Sequence, residues 1–169
     1  LIHRGVDIER FDAQKVTPDR MIALAKKWRV PEDMPVIMLP GRLTRWKGQT
    51  VLLDALARME HKNLRCLLVG SDQGRVGYRR ELEDKIKKGT VQLVDNCTEM
   101  EVAYMLTDIA ISASTDPEAF GRVVPEAQAM GRIVIGTNHG GATETIQDGV
   151  TGFLVPPADP DALAKALDK

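Results

Sequence analysis

The chain has 169 residues, of which 43% are hydrophobic and 28% are charged, as in one ordinary globular domain. Its 23 basic and 24 acidic residues give a net charge of −1, which argues against nucleic-acid binding through bulk charge. No apolar run is long enough to cross a bilayer, and two cysteines without paired Cys/His spacing indicate neither a zinc site nor a disulfide framework. We expect a cytoplasmic protein, in which any anion site is local.

Short apolar segments alternate with amphipathic segments along most of the chain. Runs rich in Val, Ile and Leu predict buried strands at 35–40, 64–70, 91–94, 109–112, 133–136 and 152–155. Helices are predicted at 49–59, 78–89, 100–106, 124–131 and 159–167. Gly89 is predicted to be the C-cap of the second of these helices. This alternation predicts an α/β fold with a doubly wound, Rossmann-like parallel sheet, whose ligands bind in the turns beyond the carboxyl ends of the strands.

The first turn with unusual residues is PGRLTRWKG, which follows a predicted strand and enters a predicted helix. Gly41 allows the backbone to turn sharply, while Arg42 and Lys47 supply a planar fork of donors and a compact ammonium. This pair of cations suits a diphosphate, although two solvated surface cations would give the same pattern. The segment is neither a Walker A loop nor a GxGxxG motif.

Two carboxylates in the segment EAFGRVVPE, Glu118 and Glu126, are separated by seven residues. One alternative for such a pair is the acid and base of a glycosidase. An aromatic content of only 4% disfavours that alternative, because sugar clefts often contain aromatic rings. Glu126 also has a simpler interpretation, since an acid in the first turn of a helix stabilises the helix.

The same segment predicts an anion site at the start of a helix. Pro125 suits the first turn of a helix, so the loop before it should lead directly into the helix N-terminus. Backbone amides in a first turn lack partners within the helix. The amides of Val123 and Val124 are therefore expected to face an anion.

Two further segments have plainer interpretations. Gly140 and Gly141 predict a strand-to-helix turn before a short helix that starts at Thr143 or Glu144, and the nearby His139 is expected to be solvated. The DPD sequence at 159–161 matches a metal-binding DxD pattern by letter. Asp159 is better explained as a helix N-cap followed by Pro160 at the first helical position, so no metal site is expected.

Taken in order, HRGVDIERF, GRLTRWKG, EAFGRVVPEAQAMG, GGATETIQDGVTGFLV and DALAKAL resemble the donor-binding domain of family 4 retaining glycosyltransferases. The resemblance spans nearly the whole chain and implies the C-terminal half of a GT-B fold, a single domain over 1–169. It implies a full-length hexosyl-type enzyme that moves a glycosyl group from an NDP-sugar, such as a UDP- or GDP-sugar, to an acceptor. The N-terminal acceptor domain is absent from this chain, so the chain alone is expected to transfer nothing.

The resemblance also implies roles for individual residues. Catalytic roles fall to Arg42 and Lys47, which match the pair that holds the donor diphosphate, and to Glu118, which matches the acid on the donor sugar's hydroxyls. Glu126 matches the acid that holds the ribose. Donor-binding positions are Gly41, Arg42, Lys47, Cys97, Glu118, Phe120, Gly121, Val123, Val124 and Glu126.

The partners that the resemblance implies are an NDP-sugar as substrate and the missing acceptor domain, with no nucleic acid, no cofactor and no metal. Any membrane contact would be made by the missing half. The chain departs from the family pattern at Ser71 and Asp72, which follow Gly70, and in DNCTEM after the third strand. In the family both of these loops lie on the nucleobase side, which implies that Cys97 belongs to the nucleobase pocket. Two alternatives remain, a GT-B glycoside phosphorylase and a non-catalytic nucleotide-binding module.

Overall fold

A computed structural model describes residues 5–86 and 89–169 of the chain. Six parallel strands form one sheet in the spatial order β3-β2-β1-β4-β5-β6. The strands are β1 (Val36–Pro40), β2 (Arg65–Val69), β3 (Val91–Val94), β4 (Ile109–Ser112), β5 (Ile133–Thr137) and β6 (Phe153–Val155). All six were expected from their apolar runs, and the α/β, doubly wound parallel fold is confirmed.

Helices connect the strands and cover both faces of the sheet. They are α1 (Pro18–Trp28), α2 (Gln49–Arg58), α3 (Val76–Lys85), α4 (Met100–Met105), α5 (Val123–Ala129), α6 (Ala142–Thr145) and α7 (Pro160–Leu167). Short 3-10 helices lie at Ala13–Lys15 and Arg45–Lys47. No helix within residues 5–86 and 89–169 combines the length and the apolar character needed to cross a membrane.

The apolar core lies in two layers, one on each face of the sheet. Because successive strand residues point to opposite faces, Ile37 and Leu39 pack with α2, α3 and α7, whereas Met38 packs with α1, α4 and α5. None of these three side chains is more than 2% exposed. Burial on both faces explains why the strands are continuous apolar runs rather than alternating ones.

No helix was expected at residues 18–28, yet α1 forms there. Pro18 occupies its first turn after Thr17, a combination that favours a helix start, and Arg29 ends the helix in the left-handed conformation. Only Leu24 and Trp28 are buried along α1. Two buried positions in an otherwise polar segment give a weak periodic signal, which explains why the helix was missed.

Two predictions about helix ends are wrong. The helix α3 ends at Lys85 with Ile86 as its C-cap, so Gly89 does not cap it, and residues 87 and 88 of the predicted segment lie outside the described residues. Only two α3 side chains are buried, so little packing extends the helix further. The helix α6 begins at Ala142, earlier than expected, after Gly141 as its N-cap.

The sheet reverses its direction of winding between β1 and β4, which are neighbours in space. The chain leaves β1 toward α2 on one face of the sheet and leaves β4 toward α5 on the other. A crevice must therefore open between the two departing loops.

Gly48 holds these two loops close together at the base of the crevice. Its φ is +74°, and a Cβ added to it would lie 1.9 Å from the carbonyl oxygen of Ala113, directly after β4. Nearby, the Thr115 N–H donates to the Trp46 carbonyl oxygen at 2.7 Å. Backbone contact across the switch point thus requires glycine at position 48.

We expect Gly48→Ala to lower the free energy of unfolding by roughly 2–4 kcal/mol, because the methyl group strains φ and forces two backbones apart. Urea denaturation measures the change. Gly77→Ala is the matched control, since a Cβ there meets nothing within 4 Å. That control should be neutral or stabilise by about 0.4–1 kcal/mol. Equal stability of the two variants would show that the contact imposes no constraint.

Candidate functional site

A cleft of about 820 Å³ opens at the crevice between the β1 and β4 loops and extends across the loops after β2 and β3. The charged residues in its walls are the cations Arg10, Arg42, Lys47 and Arg122 and the carboxylates Glu118 and Glu126. Four cations against two acids leave a local excess of positive charge in a chain whose net charge is −1. The cleft is therefore suited to a compact anion.

Nine of the ten predicted donor-binding residues line this cleft. They are Gly41, Arg42, Lys47, Cys97, Glu118, Phe120, Gly121, Val123 and Glu126. The exception is Val124, whose side chain is fully buried and whose N–H donates to the Gly121 carbonyl oxygen at 3.1 Å. The loop turns back and occupies the Val124 amide, so the expected contact of this amide with an anion stays a prediction. The Val123 amide has no backbone acceptor within the described part of the chain.

Lys47 and Glu118 form an ion pair across the cleft. The Lys47 Nζ lies 2.7 Å from Glu118 Oε2, with the two side chains 12% and 17% exposed. The buried Ser114 hydroxyl donates to the other carboxylate oxygen, Oε1. Both oxygens of Glu118 therefore have partners, one from each side of the crevice.

The indole of Trp46 lies beside both cations of the β1 loop. Lys47 Nζ is 4.5 Å from the ring centroid, and Arg42 Cζ is 6.0 Å from it. An aromatic face attracts cations at such distances, so Trp46 draws the two side chains toward one another. The Arg42 side chain is exposed and forms no ion pair with any carboxylate in the described residues.

Gln49 fixes the backbone of the β1 loop from inside the core. Its side chain is fully buried, and Nε2 donates to the Arg42 carbonyl oxygen at 2.9 Å. Its Oε1 accepts from the Tyr78 hydroxyl at 3.1 Å. The position of Arg42 thus depends on a buried polar bridge between α2 and α3.

The glycine pair at 140–141 fixes the loop that carries Glu118. A Cβ on Gly140 would lie 2.5 Å from the Glu118 carbonyl oxygen, and one on Gly141 would lie 2.6 Å from that of Phe120. The Gly141 N–H donates to the Glu118 carbonyl oxygen at 2.8 Å. The simple turn expected from sequence is therefore a packing surface for the neighbouring loop.

His139 was expected to be solvated, but it supports the same loop. Its ring Nε2 lies 2.8 Å from the Ser114 carbonyl oxygen, which also accepts from the Thr137 hydroxyl at 3.0 Å. Since a carbonyl oxygen can only accept, the tautomer with hydrogen on Nε2 satisfies this contact. His139 thus holds the residue whose hydroxyl bonds to Glu118.

Glu126 lies on α5 and lines the same cleft. It is half-buried, and the fully buried Tyr104 on α4 donates its hydroxyl to Oε2 at 3.2 Å. Burial raises the pKa of Glu126, against smaller lowering contributions from Tyr104, Arg122 and Arg10. Burial also raises the pKa of Tyr104 well above its usual value, so that hydroxyl remains a donor.

Polar groups line the side of the cleft formed by the loops after β2 and β3. These residues are Ser71, Gln73, Asn96, Cys97 and Thr98. Arg10 belongs to the leading segment, residues 5–17 before α1, and donates through Nη2 to the Thr98 carbonyl oxygen at 2.6 Å. Burial raises the pKa of the Cys97 thiol, which disfavours a reactive thiolate at neutral pH.

The DPD segment has a structural explanation, as expected. Asp159 is the N-cap of α7 and accepts from the Ala162 N–H at 2.9 Å. Asp161 accepts from Arg58 Nη1 at 2.6 Å. Both carboxylates therefore stabilise α7, outside the cleft.

Several residues that shape the cleft were not identified from the sequence. They are Arg10, Trp46, Gln49, Tyr104 and Ser114. Trp46 had a local signal, because it stands directly beside Lys47. The others act through contacts with distant parts of the chain or, for Ser114, through a loop conformation that the spacing does not specify.

Comparison with known proteins identifies relatives over nearly the whole chain. The model of the family described as glycosyl transferases group 1 matches residues 21–169. A D-inositol 3-phosphate glycosyltransferase from Thermobifida fusca is 30% identical over 98% of this chain and 40% of its own length. The chain spans about two fifths of the length of the curated relatives it matches.

Solved structures of similar fold agree with these relatives. A glycosyltransferase from Rickettsia africae ESF-5 is 40% identical with a TM-score of 0.95, over 99% of this chain and 45% of that chain. Anabaena HepE in complex with UDP and glucose is 31% identical with a TM-score of 0.89, over 99% of this chain and 46% of that chain. The expected fold, the C-terminal half of a GT-B glycosyltransferase, is confirmed by this likeness.

We expect Gln49→Leu to destabilise the chain by about 2–4 kcal/mol, because two buried groups, the Arg42 carbonyl and the Tyr78 hydroxyl, lose their partner. Tyr78→Phe should have a smaller effect, about 1–2 kcal/mol, since the bond from Gln49 to Arg42 survives. Chemical denaturation of both variants provides the measurement. A Leu variant no less stable than the Phe variant would contradict the bridging role.

Proposed function

Because the chain belongs to the glycosyl transferases group 1 family, we propose that it is the donor-binding half of a retaining, family 4 glycosyltransferase. Its ligand is a nucleoside diphosphate sugar. The observation that carries the proposal is the single cleft in which Arg42 and Lys47 face Glu118 and Glu126 across the switch point. Such a set offers cations for a diphosphate and carboxylate acceptors for hydroxyl groups.

The proposed catalytic role of Arg42 and Lys47 is to stabilise the departing nucleoside diphosphate. During transfer, the bond between the anomeric carbon and the diphosphate oxygen breaks, and negative charge grows on that oxygen. Two cations at this position stabilise the charge more in the transition state than in the bound donor, because the charge on that oxygen is larger there. The acceptor hydroxyl forms its bond on the same face of the sugar, which retains the anomeric configuration.

Glu118 and Glu126 are proposed to divide recognition of the donor between them. Glu118 is next to Lys47, 2.7 Å away, so a sugar attached to the bound diphosphate would lie within its reach. Glu126, which lines the same cleft but does not take part in this ion pair, is assigned to the ribose hydroxyls. A carboxylate accepts hydrogen bonds from vicinal hydroxyls, and such charge-assisted bonds contribute about 1.5–3 kcal/mol each.

Donor binding is proposed to require an exchange of partners at the ion pair between Lys47 and Glu118. Lys47 must leave Glu118, at least in part, to bind a phosphate oxygen, and the freed carboxylate then accepts from the sugar. Trp46, 4.5 Å from the Lys47 ammonium, guides this side chain throughout. Breaking the ion pair is offset by two new charge-assisted contacts.

Acceptor binding is proposed to require a second half of the protein. The curated relatives are more than twice as long as the matched region, which leaves room for an acceptor domain. We propose that the present chain binds the donor without transferring it, because no acceptor is held beside the anomeric carbon. UDP is the natural first probe, since HepE was crystallised with UDP and glucose.

The two acids are expected to respond differently to substitution. Glu126→Ala should weaken binding of both UDP and UDP-glucose, since both carry the ribose. Glu118→Ala should weaken UDP-glucose, whose sugar loses its acceptor, but should not weaken UDP, because Lys47 no longer has to leave a carboxylate to bind the phosphate. Each loss should be about 10- to 150-fold, as for a hydrogen bond to a charged group. Isothermal titration calorimetry of the four combinations measures these effects.

Two controls accompany this titration. Arg42→Ala should weaken both ligands through their shared diphosphate, and inorganic phosphate should bind weakly to every variant. Strong phosphate binding would favour a glycoside phosphorylase instead. If the two Glu variants behave alike on both ligands, the division of labour between them is wrong.

Nucleotide binding is expected not to depend on a divalent metal. Arg42 and Lys47 supply the charge that a metal would otherwise provide to the diphosphate. Adding EDTA should therefore change the UDP dissociation constant by less than about twofold, well under the 1.4 kcal/mol that a tenfold change represents. Titration with and without added Mg²⁺ or Mn²⁺ provides the check, and a strong requirement for either ion would contradict the proposed use of the two cations.

A further inference from the structure

We infer that Tyr104 is a positioning residue that fixes the Glu126 carboxylate in the orientation required for ribose binding. The inference rests on the proposed function, in which Glu126 accepts from the ribose hydroxyls. Tyr104 lines the same cleft, but its side chain is fully buried and only its hydroxyl is directed at Glu126. It therefore acts through the carboxylate and is not assigned any contact with the donor.

The geometry leaves one oxygen of Glu126 for a ligand. The Tyr104 hydroxyl donates to Oε2 at 3.2 Å, and no side chain in the described residues donates to Oε1. A carboxylate with one oxygen held by a rigid phenol can rotate little about its last torsion. Because Glu126 lines the cleft, its other oxygen is then held in one orientation there, a preorganisation that removes part of the entropy cost of binding.

Aromatic packing holds Tyr104 itself in place. Phe11 meets its ring edge-on, with centroids 6.0 Å apart and planes at 62°. Arg10 lies over the other ring, 5.1 Å from the Phe11 centroid, and bonds to Glu101 on the same helix as Tyr104. The leading segment and α4 thus pack together around Tyr104.

The titratable and charged groups that act on Glu126 in the described residues come from three parts of the chain. Tyr104 belongs to α4, Arg122 precedes α5, and Arg10 belongs to the leading segment. All three lower the pKa of Glu126, while burial, the largest influence, raises it. Removing the Tyr104 hydroxyl should therefore raise the pKa of this carboxyl further.

Ribose binding needs the ionised carboxylate, so affinity is complete above the pKa of Glu126 and declines as the pH falls through it. In Tyr104→Phe this decline should begin at a higher pH than in the unmodified chain. If Tyr104 only supported the fold, Tyr104→Phe would weaken binding by the same factor at every pH and leave the midpoint of the pH dependence unchanged.

The experiment measures UDP affinity from pH 4.5 to 8 by calorimetry for the unmodified chain and three variants. Tyr104→Phe should bind about three- to tenfold more weakly at neutral pH, with its midpoint raised. Glu126→Gln should lose the decline in affinity that protonation of Glu126 causes. It should keep only the pH dependence of the ligand phosphate, whose second pKa is about 6. Tyr78→Phe removes the other tyrosine hydroxyl and should leave the midpoint unchanged.

Tyr104→Phe/Glu126→Gln tests whether Tyr104 acts only through Glu126. With no carboxylate to orient, the double variant should match Glu126→Gln in affinity and in pH profile. A double variant that binds clearly more weakly than Glu126→Gln would overturn the inference, since Tyr104 would then act independently of Glu126.

A second ligand separates this inference from the proposed function. The unmodified chain should bind UDP at least about tenfold more tightly than 2′,3′-dideoxy-UDP, which lacks both ribose hydroxyls. If the two ligands bind equally well, the ribose assignment of Glu126 is wrong, and so is the role of Tyr104. If UDP binds more tightly, but Tyr104→Phe has the same UDP affinity and the same pH midpoint as the unmodified chain, only the role of Tyr104 is wrong.

Discussion

The ion pair between Lys47 and Glu118 joins two loops that the sheet topology drives apart. The chain leaves β1 and β4 toward opposite faces, and the cleft exists because of that divergence. Gly48, against Ala113, limits the separation at the base, and the ion pair limits it within the cleft. Trp46 lies beside Lys47, and the Ser114 hydroxyl bonds to Glu118, so each partner of the pair has its own support.

Charges in a partly buried cleft require partners whether or not a ligand is present. The pair is only 12% and 17% exposed, so removing one member would leave the other poorly solvated. Under the proposed function, phosphate oxygens replace Glu118 beside Lys47, and sugar hydroxyls replace Lys47 beside Glu118. A ligand that supplies only one of these replacements leaves a charge without a partner. The cleft is thereby matched to both halves of a nucleotide sugar.

The fold was largely predictable from the sequence, whereas the support of the site was not. Strands covered on both faces are short apolar runs, so all six could be located. The cleft residues could be located because ligands collect where such strands end. The role of Gln49 or Tyr104 depends on a partner far away in sequence, 29 and 22 residues respectively. The hydrogen bond from the Val124 amide to Gly121 could not be foreseen, because sequence letters do not distinguish a turn closed by Gly121 from an open helix end.

The position of Trp46 also gives the cleft an intrinsic optical reporter. The chain has two tryptophans, and the other, Trp28, is the last residue of α1 and is buried in the core. Indole emission responds to nearby charge, and the two cations beside Trp46 are those assigned to the ligand. Any movement of Lys47 away from Glu118 changes the electric field at that ring. Fluorescence of the unlabelled protein therefore registers the exchange of partners on which the cleft depends.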